Sequence, residues 1–253
     1  SAFIYPTIAF TALAWSSHGL GQQGTTVDDG DWNTYYGGDW AHRYSPLDQI
    51  NADNVSELEL AWSFSTENFG TTVDYANPST PLEINGVLYA NIANTRNVVA
   101  LDATSGQVLW LYRYDEGDRY DEAPRKGPGR GVAFYGNGDK QRVIDISPGY
   151  QMVSLDAATG VPDPDFGDNG VVDLFVGLRN ADDPRFPYPD IGISAPPFIM
   201  NDVIVVGAAH RTGGRPRAKY NTKGDIRGFD VHTGELLWTF HTIPAAGEYG
   251  YES

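Results

Sequence analysis

Three segments of this chain share one short pattern: Val98-Val-Ala-Leu-Asp-Ala-Thr-Ser-Gly-Gln-Val-Leu-Trp110, Met152-Val-Ser-Leu-Asp-Ala-Ala-Thr-Gly160 and Ile226-Arg-Gly-Phe-Asp-Val-His-Thr-Gly-Glu-Leu-Leu-Trp238. Their common core is Asp-x-x-[Ser/Thr]-Gly, entered by an apolar strand and, in two cases, followed by a strand ending in Trp. Each reads as a hairpin. The Asp accepts hydrogen bonds from turn amides, the Gly supplies the positive φ that the turn needs, and the Trp packs between neighbouring sheets. The three aspartates fall at 102, 156 and 230, intervals of 54 and 74 residues. Propeller blades recur at roughly 40 to 50 residues, so both intervals carry insertions.

The first unit contains four candidate strands: 81–84 and 87–90 flank Asn85-Gly86, a strong hairpin signal, and 97–101 and 107–112 follow. The second has 131–135, a turn at 136–139, then 142–146 and 151–155. The third has 197–200, a turn at Asn201-Asp202, then 203–207, 225–231 and 235–240. No stretch sustains a helical period; the best, 54–60, is short. The expected class is all-β, with long connections at 113–129, 161–193 and 209–224. Connections of that length usually carry function.

The 253 residues include 33 acidic and 17 basic side chains, a net charge of -16, and no Cys. Without cysteine there is no disulfide framework, zinc ribbon or thiol nucleophile, so redox work needs a bound cofactor. An acidic surface repels polyphosphate, which excludes nucleic acid as a partner and suits neutral sugars or alcohols. Residues 2–15 form an uncharged apolar run followed by small and polar residues. The run falls short of the roughly 20 residues that span a bilayer and fits the apolar part of a secretory signal. Residues 1–22 are therefore expected to be a signal-peptide-like segment truncated at its start, and 23–253 the folded domain.

The unit Ala-x-Asp-x-x-Thr-Gly-x-x-x-Trp resembles the tryptophan-docking repeat of quinoproteins, the pyrroloquinoline quinone (PQQ)-dependent alcohol and glucose dehydrogenases. Three further stretches carry the resemblance. Trp32-Asn-Thr-Tyr-Tyr-Gly-Gly-Asp-Trp-Ala-His-Arg-Tyr-Ser-Pro-Leu-Asp-Gln-Ile50 is similar to the family's opening segment, Arg130-Gly-Val-Ala-Phe134 resembles its Arg-Gly motif, and 226–244 is most like the glucose dehydrogenase branch. The resemblance covers 31–253. It implies an eight-bladed β-propeller, of which about three blades are present here as an N-terminal fragment.

PQQ is a planar tricarboxylate, so its pocket needs fixed cations, hydroxyl or amide donors and flat apolar faces. The resemblance places Arg130 and Gly131 at the cofactor's carboxylates, Ser194 as a hydroxyl near it, and Gly207 and Ala208 along the ring, where small residues let backbone approach. The plainer readings are a hairpin arginine paired with a nearby acid and a serine capping its own turn. Ca2+ is the second implied cofactor, with its ligands and the catalytic base expected in the missing C-terminal part. No catalytic or metal-binding residue is therefore assigned within this chain. The stretch 209–212 lacks the calcium-binding Glu of the alcohol branch, and His210 there reads either as facing substrate or, more plainly, as a surface residue. The stretch 124–129 lacks the adjacent cysteines of alcohol-oxidising relatives, and Lys126 stands where membrane glucose enzymes carry His. The acidic run 163–170 lacks the register of a calcium loop and reads as a turn.

The resemblance implies a periplasmic oxidoreductase that oxidises a sugar or alcohol hydroxyl by hydride transfer to the quinone. Electrons would pass to ubiquinone or a cytochrome, with the full-length protein associated with the bacterial membrane and this fragment inactive alone. The competing reading is a non-catalytic envelope scaffold built from the same repeat. The Arg130 motif and the segment around 36–47 favour the enzyme.

Overall fold

The computed structural model describes residues 30–38, 43–72, 76–136, 140–182, 188, 190–211 and 218–252. The signal-like segment, and residues 137–139 of the expected turn, lie outside them. Alternating apolar residues and tight turns build two four-stranded antiparallel sheets in simple up-and-down order. The first is β1 (Leu82–Ile84), β2 (Val87–Ile92), β3 (Asn97–Asp102) and β4 (Val108–Tyr112); the second is β5 (Ala133–Tyr135), β6 (Arg142–Ile146), β7 (Gln151–Asp156) and β8 (Val171–Asp173). The remaining strands are β9 (Ile191–Gly192), β10 (Phe198–Met200), β11 (Val203–Val206), β12 (Ala209–His210), β13 (Ile226–Asp230) and β14 (Leu236–Phe240). Of these, β10, β11, β13 and β14 form the third sheet, while β9 and β12 pair as a separate ribbon.

These sheets are the expected propeller blades. Three details differ from the sequence expectation. The connection 161–193 contains β8 and β9, and 113–129 contains α1 (Asp118–Asp121). The stretch 54–60 yields only a 3-10 turn at Val55–Glu57. β5 begins at Ala133 rather than 131, because Gly131 sits at φ +143 and only afterwards does the chain settle into extended pairing.

The repeated turn behaves alike in each blade. Asp102 accepts from the amides of Thr104 and Ser105, Asp156 from those of Ala158 and Thr159, and Asp230 from those of His232 and Thr233, at 2.7 to 3.1 Å. Gly106, Gly160 and Gly234 follow at φ +72, +70 and +73. The glycines are needed for a second reason, since an indole lies flat on two of them. A β-carbon on Gly160 would meet Trp110 at 2.5 Å, and one on Gly106 would meet Trp62 at 2.5 Å. Each indole nitrogen then donates to the carbonyl just after the turn aspartate, Trp110 to Ala157 at 2.9 Å and Trp62 to Ala103 at 3.1 Å.

Among the described residues no tryptophan enters the interface between the second and third blades, and other groups fill the same place. Val172 and the buried Phe166 lie on Gly234, and Arg142 Nη1 donates to Val231 O at 3.0 Å, the position that takes an indole elsewhere. Arg142 is held by Asp163 at 2.5 Å. The acidic run 163–170 thus serves as a docking loop. Two apolar clusters fill the gaps between blades, one around Leu82, Val98, Trp110, Val143 and Leu155, the other around Ile146, Tyr150, Phe166, Ile204 and Phe229.

Antiparallel order gives each blade two distinct ends. One end carries the Asp turns. The other carries the approach to each first strand and the turn between the second and third.

Candidate functional site

The three first strands, β1, β5 and β10, border one cleft of about 480 Å³. Ile84, Ala133, Phe134, Phe198 and Ile199 form its strand walls. Its remaining wall comes from 31–38. There Trp32 makes a two-way backbone bridge to Glu83, and Tyr35 and Tyr36 meet edge to face with centroids 4.4 Å apart. The Tyr-Tyr-Gly-Gly element of the opening segment therefore serves to line this space. Asn85, Gly136 and Gln141 lie at the Asp-turn end of the cleft, and Arg130 lies at the other.

Arg130 is exposed and lines the cleft, and its side chain makes no hydrogen bond or ion pair with any described residue. Its backbone is fixed instead: Arg130 O accepts from Thr80 N at 2.9 Å, tying the approach to β5 against the approach to β1. Among the described residues no acid pairs with this guanidinium. Gly131 is buried behind the wall, and a β-carbon there would lie 2.9 Å from Thr80 O. Close packing of two first-strand approaches explains that glycine.

Ser194 is half-buried and stands one residue before Ala195, Pro196 and Pro197, which line the cleft. Gly207 and Ala208 are half-buried and lie beside Ile193 and the second interblade cluster rather than on the cleft. Gly207 O accepts from the Tyr150 hydroxyl at 2.8 Å. All five residues gather at one end of the blades, but only Arg130 lines the cleft itself. Among the described residues no group of three or more His, Asp or Glu could hold a metal ion. His210 is exposed, and Lys126 donates to Asp121 O at 2.7 Å over the Tyr120 ring.

Three buried arginines, Arg96, Arg142 and Arg227, escaped the sequence reading, and Arg96 is the one that reaches the segments beside the cleft. Arg96, in the turn between β2 and β3, is 2% exposed and donates to four carbonyls. Nε reaches Gly127 O at 3.1 Å, Nη1 reaches Ile146 O at 2.9 Å and Ile193 O at 2.7 Å, and Nη2 reaches Arg125 O at 2.6 Å. Burial pulls its pKa down, and Asp145 pushes it back up. Burial also pushes Asp145 up to about 6, against the opposing charge of Arg96. The Tyr114 hydroxyl donates to Asp145 at 2.9 Å and stays neutral, its pKa raised by burial and by that carboxylate. The fully buried Asn91 amide adds to the field holding Asp145, without reaching full hydrogen-bond geometry.

The cleft fits the chemistry of a flat anion. It offers at its mouth one guanidinium without a side-chain partner among the described residues, aromatic faces from Tyr35 and Phe134, and apolar walls from Val132 and Pro197.

The family described as "PQQ: Glucose/ethanol/alcohol dehydrogenase, beta-propeller domain" matches residues 32–252. The glycerol dehydrogenase large subunit of Gluconobacter oxydans is 28% identical over 87% of this chain and 29% of its own length. The quinoprotein glucose dehydrogenase of Escherichia coli is 31% identical over 85% of this chain and 27% of its own. Among solved structures, the quinohemoprotein alcohol dehydrogenase of Comamonas testosteroni superposes with a TM-score of 0.63 at 27% identity, covering 85% of this chain and 28% of that one. The chain thus spans under a third of the length of these relatives, and identities of 28% and 31% do not separate the substrate branches.

Proposed function

Because this chain belongs to the family of PQQ-dependent glucose, ethanol and alcohol dehydrogenase propellers, we propose that it forms part of an oxidoreductase acting on the hydroxyl of a sugar or alcohol. PQQ, when bound, supplies a quinone that accepts two electrons from the hydroxyl-bearing carbon. The chain's own residues would bind and orient it. Arg130 offers a planar fork to a carboxylate, which fixes that edge of a flat anion in angle as well as in position. Tyr35 and Phe134 give the ring apolar faces and keep water from it. The Ser194 hydroxyl and the backbone at Gly207 and Ala208 stand behind the 195–197 wall and would reach the cofactor only from beyond it. The observation that carries the reading is the guanidinium of Arg130 at the cleft mouth, which has no partner among the described residues.

The described residues hold no group of three or more His, Asp or Glu that could bind Ca2+, so no step is routed through a metal here. Transfer of electrons to a membrane quinone or cytochrome, and a periplasmic location, complete the proposal; the apolar run at 2–15 supports export. Titration of the whole encoded protein with PQQ, read by tryptophan fluorescence, tests the assignment. Arg130→Met should weaken binding by about tenfold or more, the worth of one charge-assisted pair. Unchanged affinity in that variant would remove Arg130 from the site, and no binding in the parent would favour a cofactor-free scaffold.

A further inference from the structure

We propose that Arg96 is a positioning residue for this cleft: by binding the carbonyls of Arg125, Gly127 and Ile193 at once, its guanidinium sets the spacing of the Arg130 and Ser194 segments. The proposal rests on the cofactor reading above. Arg96 belongs to the first blade, yet its acceptors lie in the approach to β5 of the second blade, at the end of β6, and in the approach to β10 of the third. Gly127 precedes Arg130 by three residues, and Ile193 precedes Ser194 by one. A guanidinium has five N–H donors in a rigid plane, and four are used here in three directions. The contact is close enough to dictate a glycine. A β-carbon on Gly129, which sits at φ +76, would lie 2.9 Å from Arg96 Nε.

The molecule holds its own control. Arg227 is as buried, at 1% exposed, and donates to Val176 O at 3.0 Å and Leu174 O at 2.6 Å. Those carbonyls belong to the segment following β8, away from the cleft. An arginine that merely glues blades together should behave like Arg227. One that positions the site should not.

The test compares Arg96→Lys with Arg227→Lys in the whole encoded protein. Lysine keeps the charge but presents its donors from a single point, so it cannot reach all four carbonyls. Arg96→Lys should speed amide exchange in 124–131 and 191–197 together and weaken PQQ binding by about tenfold or more, as expected when a binding group shifts by about an ångström. Arg227→Lys should speed exchange around 174–178 and leave PQQ affinity within about twofold. Equal loss of affinity in both variants, or unchanged exchange in 191–197 on Arg96→Lys, would overturn the proposal. Should Arg96→Lys fail to fold, Gly129→Ala displaces the guanidinium through Nε. Faster exchange in 191–197, a segment Arg96 bonds directly, would then support the positioning role, and unchanged exchange there would overturn it. A parent that binds no PQQ would overturn the cofactor reading alone, while the exchange comparison would still decide whether Arg96 couples the two segments.

Discussion

The two ends of the blades are held by different kinds of contact. At the Asp-turn end, every bond within a turn joins residues two to five apart, and the same set appears three times. At the opposite end nothing repeats, and the anchoring bonds are long in sequence: Arg96 reaches carbonyls 31, 50 and 97 residues away, and Tyr150 reaches Gly207 over 57. Arg119 adds a bidentate pair to Asp173 at 2.6 and 2.9 Å, with its guanidinium 4.2 Å from the Phe175 ring centroid. The repeated end makes blades and docks each on the next through one recurring contact; the unrepeated end ties three blades together through single residues and carries the cleft mouth. A chain can therefore keep its fold through one end and vary its chemistry through the other.

That division can be broken by mutation. The largest effect should come from Trp110→Ala, which empties the contact between the first and second blades and leaves Ala157 O with the Tyr89 hydroxyl, at 3.2 Å, as its remaining donor. It should cost about 3–5 kcal/mol in thermal or denaturant unfolding. Cofactor affinity of the folded fraction should be unchanged, and a fall there would mean that the two ends are not independent.

Acting at the other end, Asp145→Asn should shift stability by on the order of 2 kcal/mol, with a marked pH dependence. Because the folded carboxyl is raised to about 6, the folded state binds the proton more tightly than the unfolded chain. Its contribution favours folding below that value, and this advantage is lost as pH rises from about 4 to about 6. The variant lacks this loss, so its stability relative to the parent should improve as pH rises. Parallel stability curves for parent and variant would contradict the assignment.

Two glycines at the cleft end should differ. Gly131→Ala meets Thr80 O at 2.9 Å from a positive φ and should cost about 1–3 kcal/mol. Gly207→Ala meets only Ile193 Cδ1 at 3.7 Å and should stay within about 0.5 kcal/mol. An equal cost in thermal unfolding would show that close packing does not explain Gly131.

What could be read from the sequence follows the same division. Asp102, Asp156 and Asp230 announce local turns, and Asn85-Gly86 and Asn201-Asp202 announce hairpins whose residues all take positive φ. Such signals sit within a few residues of their effect. β8 was missed because its docking group is not a tryptophan on the strand; the role is shared by Phe166, Val172 and an arginine from another strand, Arg142. Arg96 was missed because, as one charged residue in a turn, it looks like any surface arginine until its partners are folded around it. Arg130 was legible only through its motif, and Gly207 and Ala208, read in the same way, lie away from the cleft.

The cofactor placement is decided by a structure of the whole encoded protein with PQQ bound. A PQQ carboxylate should lie within about 3 Å of the Arg130 guanidinium, with the ring in the cleft between Tyr35 and Phe134. PQQ held elsewhere, with Arg130 turned to solvent, would refute that placement.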